Sequence, residues 1–309
     1  MSFKTRLMEE GDQSAVADLI YKSLNTWYLK NRGFELVSGP SDTMMVFPRV
    51  YEALDPHCCV LAEDTETGRI AGSCFFHPRP THVSLGILNV HPDYFGKRVS
   101  SLLVKYVSSY AEEKSLPLRL VSSAMNLESF NLYNRYGFQP VIFFQDMVLE
   151  VPPEGVPNQI PSGMIIRKAV MEDVPAMVRL EKRLCKIDRE KDFRFFIENR
   201  EKIWRTSLLI DEKTGELEGF TASVLDPGSN MIGPGVAQTE MGMNALIRYE
   251  LNAYPGKKPV WLIPSNALCL RKSMFEIGAQ NCETHILQVQ GEFYPPCGTV
   301  IPSFMPETF

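Results

Sequence analysis

The chain has 309 residues, a net charge of −5, and 44% hydrophobic and 22% charged residues; the length suits two domains and the composition excludes general disorder. The mild acidity argues against nucleic-acid and membrane partners, and no apolar run approaches the ~20 residues that cross a bilayer. Seven scattered cysteines without a Cys-x-x-Cys pair argue against a disulfide framework or a four-cysteine zinc site and point to a reducing cytoplasm.

In chain order, the start from Met1 to Arg6 turns amphipathic at once and shows no apolar leader core. A short strand is expected to end near Arg6. Asp12 then stands where a helix N-cap belongs, and Val16, Leu19 and Ile20 follow at helical spacing. Trp27, Tyr28, Phe34 and residues 38–47 come next. Cys59 to Glu63 and Arg69 to Phe75 read as a β-hairpin turning at Gly68, with Cys58 and Cys59 opening a buried strand. His82 to Val90 is an apolar strand, Val99 to Glu113 an amphipathic helix and Leu118 to Ser122 a short strand. Ser129 to Tyr136 is a helix closed by Gly137, and Val141 to Leu149 is a last strand.

Val151 to Gly163 holds four prolines and two glycines, so neither a helix nor a central strand can pass through it. Beyond it the pattern restarts. Arg6, Asp12 and Leu19 recur as Arg167, Asp173 and Leu180, each 161 positions later, with Pro175 in the first turn of the helix. The hairpin recurs as Ser207 to Ile210 and Glu216 to Phe220 around Gly215. Two matches in the same order point to an internal duplication. The expected architecture is α/β (α+β), with a first domain over 1–150, a proline-rich linker over 151–163 and a second domain over 164–309.

The chemistry concentrates where Leu88, Asn89 and Val90 end a strand. Phe95, Gly96, Lys97 and Arg98 form a loop, and Val99, Ser100 and Ser101 open a helix. The first helical turn has free N–H groups and the positive end of the dipole, so it can cradle a pyrophosphate, and two cations reinforce it.

This stretch resembles the GNAT superfamily of N-acetyltransferases, which reads Gln/Arg-x-x-Gly-x-Gly/Ala at the start of this helix. Val90-His91-Pro92-Asp93-Tyr94 keeps the upstream Val-x-Pro-x-Tyr. Phe95 stands at the Gln/Arg position, Arg98 at the first Gly and Ser100 at the Gly/Ala. Arg98 is expected to pair with the phosphates. A second resemblance is more specific: Asn126, Ser129, Leu132, Tyr133, Gly137 and Phe138 meet every named position of Asn-x-x-Ser/Ala-x-x-Leu-Tyr-x-x-x-Gly-Phe. The resemblance implies two tandem GNAT-like domains, each a mixed, mostly antiparallel sheet flanked by helices. It implies acetyl-CoA as acetyl donor and a primary amine as acceptor. Asn126 would bond toward the pantetheine arm, and Tyr133 would protonate the leaving thiolate. N–H groups near Asn89 and Val90 would polarise the carbonyl. Trp27, Tyr28, Phe34 and residues 38–47 fall where the family shapes its acceptor pocket.

Many family members carry a Glu on the cofactor-side strand as base, but Val83 to Val90 has no carboxylate. His82, His77 and Glu63 are chemically able, yet read better as surface or turn residues, so no base is assigned. No metal-ligand spacing occurs, and Asp188 to Asp192 reads as a solvated helix face. In the second half, Gly233 and Gly235 could approach a ligand, but no basic residue occurs from Met231 to Leu246. Aligning Gly278 with Gly137 puts Met274 opposite Tyr133, and Met cannot donate a proton. The tail from Gly291 to Phe309 is expected to pack as an extended segment. The expectation is an acetyl-CoA-dependent N-acetyltransferase, monomeric or homodimeric, with one active domain and one degenerate copy. A non-catalytic acyl-CoA-binding sensor or scaffold is the alternative.

Overall fold

The computed structural model describes residues 2–303 and 305–308. The first repeat runs β1 (Phe3–Leu7), α1 (Gln13–Arg32), α2 (Val46–Leu54), β2 (Cys59–Asp64), β3 (Ile70–Arg79), β4 (His82–Val90), α3 (Val99–Glu113), β5 (Leu118–Ser123), α4 (Leu127–Arg135) and β6 (Gln139–Val148). The second runs β7 (Met164–Lys168), α5 (Val174–Cys185), α6 (Glu190–Glu198), β8 (Trp204–Asp211), β9 (Leu217–Asp226), β10 (Ser229–Ala237), α7 (Glu240–Leu251), β11 (Val260–Pro264), α8 (Leu268–Glu276) and β12 (Gln280–Gln290). The element types match one for one, and a short β13 (Thr299–Ile301) is added at the end.

The duplication extends to single contacts. Arg6 donates to both carboxylate oxygens of Asp12 at 2.6 and 2.9 Å, and Arg167 does the same to Asp173 at 2.7 and 2.7 Å. Asp12 Oδ2 also accepts from Glu9 N at 2.9 Å, and Asp173 Oδ2 from Val170 N at 2.8 Å. Neither Asp therefore caps its α-helix with its side chain, as the sequence leads one to expect. A bidentate, charge-assisted pair with Arg outcompetes an ordinary cap. The hairpin turns repeat as well: Gly68 N donates to Asp64 O and Gly215 N to Asp211 O, each at 2.8 Å. Both repeats need a glycine where a helix crosses the sheet closely. A Cβ on Gly72 would stand 2.7 Å from Val99 of α3, and one on Gly219 would stand 3.1 Å from Leu246 of α7.

The repeats do not build separate sheets. The strands run in the order β1-β2-β3-β4-β5-β12-β6-β11-β10-β9-β8-β7, with β13 on β10. Each repeat thus lends its last strand to the other: β12 pairs antiparallel with β5, and β6 with β11. A shared core packs Val16 and Ile20 of the first repeat together with Val174 and Phe193 of the second. Each such fully buried side chain contributes roughly 1.5–3 kcal/mol. The chemistry-bearing helices α3 and α7 pack on two smaller clusters, one in each repeat.

One further expectation changes. Arg189 and Asp192, read as part of a solvated face, are fully buried. Arg189 pairs with Glu181 of α5, while Asp192 accepts from Arg79 of β3 at 2.7 Å. Alternating charges on a helix do not reveal which face turns inward, and here the charges join α6 to the first repeat. In the segment after β6, Val151 N donates to Lys257 O at 3.0 Å, and Asn252 bonds both N and O of Val156. All seven cysteines are unpaired, no described helix is long and apolar enough to cross a membrane, and no metal-binding cluster occurs among the described residues.

Candidate active site

β4 and β5 run parallel for only two residue pairs, Val83 with Leu118 and Ser84 with Arg119, and then part. A register shift opposite Cys74 and Phe76 kinks β4 between Leu85 and Leu88, just past the last parallel pair. A cavity of about 800 Å³ fills this opening. It runs from the start of α3 along both strands, passes under α1, and ends on the second repeat.

The loop entering α3 is pinned at its centre. Tyr94 is buried, and its hydroxyl donates to Asp64 Oδ2 at 2.9 Å, which explains why a Tyr belongs there. Arg98 then adopts a left-handed conformation, φ 64° and ψ 17°, as the residue before the helix. This is the position where the resembling family has Gly. The backbone keeps the glycine's shape and bears the strain of a side chain in that region. The first bond of α3 runs from Leu102 N to Arg98 O, so the N–H groups of Val99, Ser100 and Ser101 have no partner within the helix. All three residues line the cavity, as do Leu88, Asn89, Val90, Phe95, Gly96 and Arg98. Lys97 does not. Its ammonium lies 5.0 Å from the centre of the Tyr94 ring.

On the opposite wall, Asn126 caps α4 by accepting from Ser129 N at 3.0 Å. Asn126, Ser129 and Tyr133 all line the cavity. Tyr133 packs against Phe138 with ring centres 5.7 Å apart, and its burial pushes the hydroxyl well above the ordinary phenol range. It therefore stays protonated. Asn89 is 2% exposed, and its Nδ2 has no partner among the described residues. A buried donor of this kind is costly unless a ligand meets it. The unpaired helix N–H groups, Arg98, the orphaned amide and the size of the cavity suit an acyl-CoA.

Trp27, Tyr28, Val37, Met44 and Phe47 line the end of the cavity under α1, whereas Phe34 packs on Tyr28, ring centres 5.7 Å apart, and does not line it. The three candidate bases fall away. Glu63 bonds Arg6 at 2.8 Å and Lys4 at 2.7 Å on β2, and does not line the cavity. His77 and His82 are buried rather than at the surface or in turns. His77 Nδ1 lies 2.7 Å from Asp55, and His82 Nε2 lies 2.7 Å from Thr308 O, with burial lowering the pKa of His82.

Several lining residues escaped the sequence reading because they come from the exchanged strands β6 and β12, from the second repeat's β9–β10 turn or from its tail. Asp146 lies 2.8 Å from His285 Nδ1, and burial raises its pKa. Glu283 accepts from Tyr28 at 2.6 Å and from Ser123. The β9–β10 turn brings Gly228 and Ser229, and the C-terminal tail brings Glu307. No local pattern marks these positions, since strand exchange puts them there. The lone hint was the missing carboxylate on β4.

A mixed sheet split between two parallel strands, with a helix N-terminus at the mouth, can cradle the pyrophosphate of an acyl-CoA. The profile of the Acetyltransferase (GNAT) family matches residues 21–138. That match lies within the first repeat, and the second repeat shows the same order of elements. No curated protein matches by sequence. Among solved structures, a candidate acetyltransferase from Pyrococcus horikoshii aligns with a TM-score of 0.73 at 14% identity, over 98% of this chain and 95% of its own. A tandem GNAT protein from the clavulanic acid biosynthesis pathway aligns with a TM-score of 0.60 at 13% identity, over 95% and 100%. Saccharomyces cerevisiae N-myristoyltransferase with bound myristoyl-CoA aligns with a TM-score of 0.61 at 11% identity, over 96% and 80%. At these identities the structural likeness shows the fold.

Proposed function

We propose that the first repeat, residues 1–150, transfers an acetyl group from acetyl-CoA to a primary amine, and that residues 164–309 form a degenerate repeat that completes the acceptor pocket. The observation that carries this reading is the single cavity that joins the start of α3 to Tyr133. In it, the N–H groups of residues 99–101 and Arg98 hold the pyrophosphate. Asn126 and Ser129 border the pantetheine arm, and N–H groups at the end of β4 polarise the thioester carbonyl. The amine nitrogen attacks the carbonyl carbon, the C–S bond breaks, and the Tyr133 hydroxyl gives its proton to the departing sulfur. The acidic side chains of Asp146, Glu283 and Glu307 at the acceptor end suit an amine, which can donate hydrogen bonds to them. Unpaired cysteines agree with a reducing cytoplasm, and we take the protein to act as a monomer or homodimer.

Calorimetry with acetyl-CoA and thiol release over a panel of primary amines test the reading. Binding with turnover is expected. Absence of binding at high micromolar acetyl-CoA ends it, and binding without transfer to any amine selects the sensor alternative. Comparing acetyl-, propionyl- and succinyl-CoA checks the acyl preference.

A further inference from the structure

Acetyl transfer to an amine requires the ammonium to lose a proton before its nitrogen can attack, and the cofactor-side strand β4 carries no carboxylate. At its kink β4 has no room for one, because a Cβ on Gly86 would stand 2.9 Å from His77 Nε2. We propose that Glu307, delivered by the segment that follows β13, is the general base of this reaction, and that Tyr51 positions it. The proposal rests on the acetyltransferase reading above.

After β13 the chain leaves the second repeat and crosses to the first, where Thr308 O lies 2.7 Å from His82 Nε2 on β4. Glu307 thereby enters the cavity that Gly86, Asn89 and Ser123 also line, and it is only 8% exposed. Its Oε2 accepts from the Tyr51 hydroxyl of α2 and lies 3.9 Å from His77 Nε2 of β3. Cys74 of β3 is a further titratable neighbour, and among the described residues no lysine or arginine pairs with Glu307. Burial pushes its carboxyl up to about 8, against the opposing pull of the Tyr51 bond. A base that titrates near working pH can both take a proton and release it. The seating of the tail is specific: His82 and Tyr51 come from two different elements of the first repeat, and each holds a residue of a tail that starts in the second.

The protons balance as follows. The ammonium gives one proton to the Glu307 carboxylate, which returns it to solvent through the cavity. The neutral nitrogen forms the C–N bond and sheds a second proton. That proton offsets the one Tyr133 gives to sulfur when the C–S bond breaks, and it restores the tyrosine.

Wild type, Glu307→Gln and Tyr51→Phe are assayed for thiol release from acetyl-CoA with a short diamine across pH 6 to 10, with acetyl-CoA binding followed by calorimetry. Glu307→Gln is expected to lose about 100-fold or more in kcat/KM and the rising limb near pH 8, while the acetyl-CoA Kd stays within about threefold. Tyr51→Phe removes a donor that stabilises the carboxylate, so the limb moves to higher pH. Added formate restores part of the rate of Glu307→Ala. A Glu307→Gln rate within about threefold of wild type, with the limb intact, overturns the proposal. Should that variant fail to bind acetyl-CoA, the Tyr51→Phe profile decides, and an unmoved limb overturns it. An active wild type with an equally active Glu307→Gln removes this proposal alone, whereas a wild type that transfers to no amine removes both.

Discussion

The two clefts share a backbone and differ in what fills them. In the first repeat β4 and β5 part after two parallel pairs and leave a cavity. In the second, β10 and β11 also run parallel for two pairs, Met231 with Val260 and Ile232 with Trp261. Past that point β13 enters and pairs with β10 at Gly235, Val236 and Ala237. Gly233 and Gly235, which the sequence offers to a ligand, meet protein instead. A Cβ on Gly233 would stand 2.3 Å from Pro302 O. The supporting residues have gone too: Ala267 replaces the Asn126 cap, and Met274 lies buried where Tyr133 would be. The segment that closes one cleft goes on to supply Glu307 to the other. The second repeat has become part of the first one's site.

The largest effect should come from separating the repeats. A fragment of residues 1–150 leaves β5 without β12 and strips β6 of both its neighbours. It also opens the core that Val16 and Ile20 share with Val174 and Phe193. Thermal melting by circular dichroism should then show no cooperative transition. A folded fragment that binds acetyl-CoA would mean that the exchanged strands are dispensable.

Next comes the contrast between Tyr133 and Met274. Tyr133→Phe should lower kcat by about 100-fold while leaving the acetyl-CoA Kd within a few-fold, as expected when an acid acts only in the transition state. Calorimetry of wild type should give one acetyl-CoA per chain, since only one cleft is open. Two would break the comparison. Gly233→Ala probes the closed cleft. Its φ of 132° and the contact with Pro302 should cost about 2 kcal/mol or more, read as a fall of several degrees in Tm.

Much of this was legible before the structure. The strand from His82 to Val90 and the helix from Val99 to Glu113 are bounded as their apolar periods indicate, because each buries one continuous face. The duplication was legible because Arg6, Asp12 and Gly68 do the same local work as Arg167, Asp173 and Gly215. The motif residues around Tyr133 and Arg98 surround one cavity, since they sit on the two elements that flank the split. Strand exchange was not legible. β6 and β12 have similar patterns, and no period of two says which sheet a strand joins. For that reason Asp146, Glu283 and Glu307 could not be placed at the site from sequence. The burial of Arg189 and Asp192 was hidden for a related reason: their partners, Glu181 and Arg79, lie on other elements.

The smallest predicted effect is at Arg98, and its two consequences have opposite signs. A non-glycine residue at φ 64° costs roughly 1 kcal/mol relative to Gly, so Arg98→Gly should raise Tm by a few degrees at most. The same change removes a guanidinium from the wall of the cavity beside the unpaired N–H groups of α3. Acetyl-CoA should bind about tenfold more weakly at low salt, and the gap should narrow as salt screens the lost charge. The corresponding stretch of the second repeat, 231–246, carries no cation. A variant that is more stable and binds as tightly would show that the arginine is held in a strained conformation without serving the phosphates. One that binds more weakly and is no more stable would show that the loop does not bear the strain its φ implies. Only a gain in stability together with a loss in binding fits a glycine position that was given up for a charge.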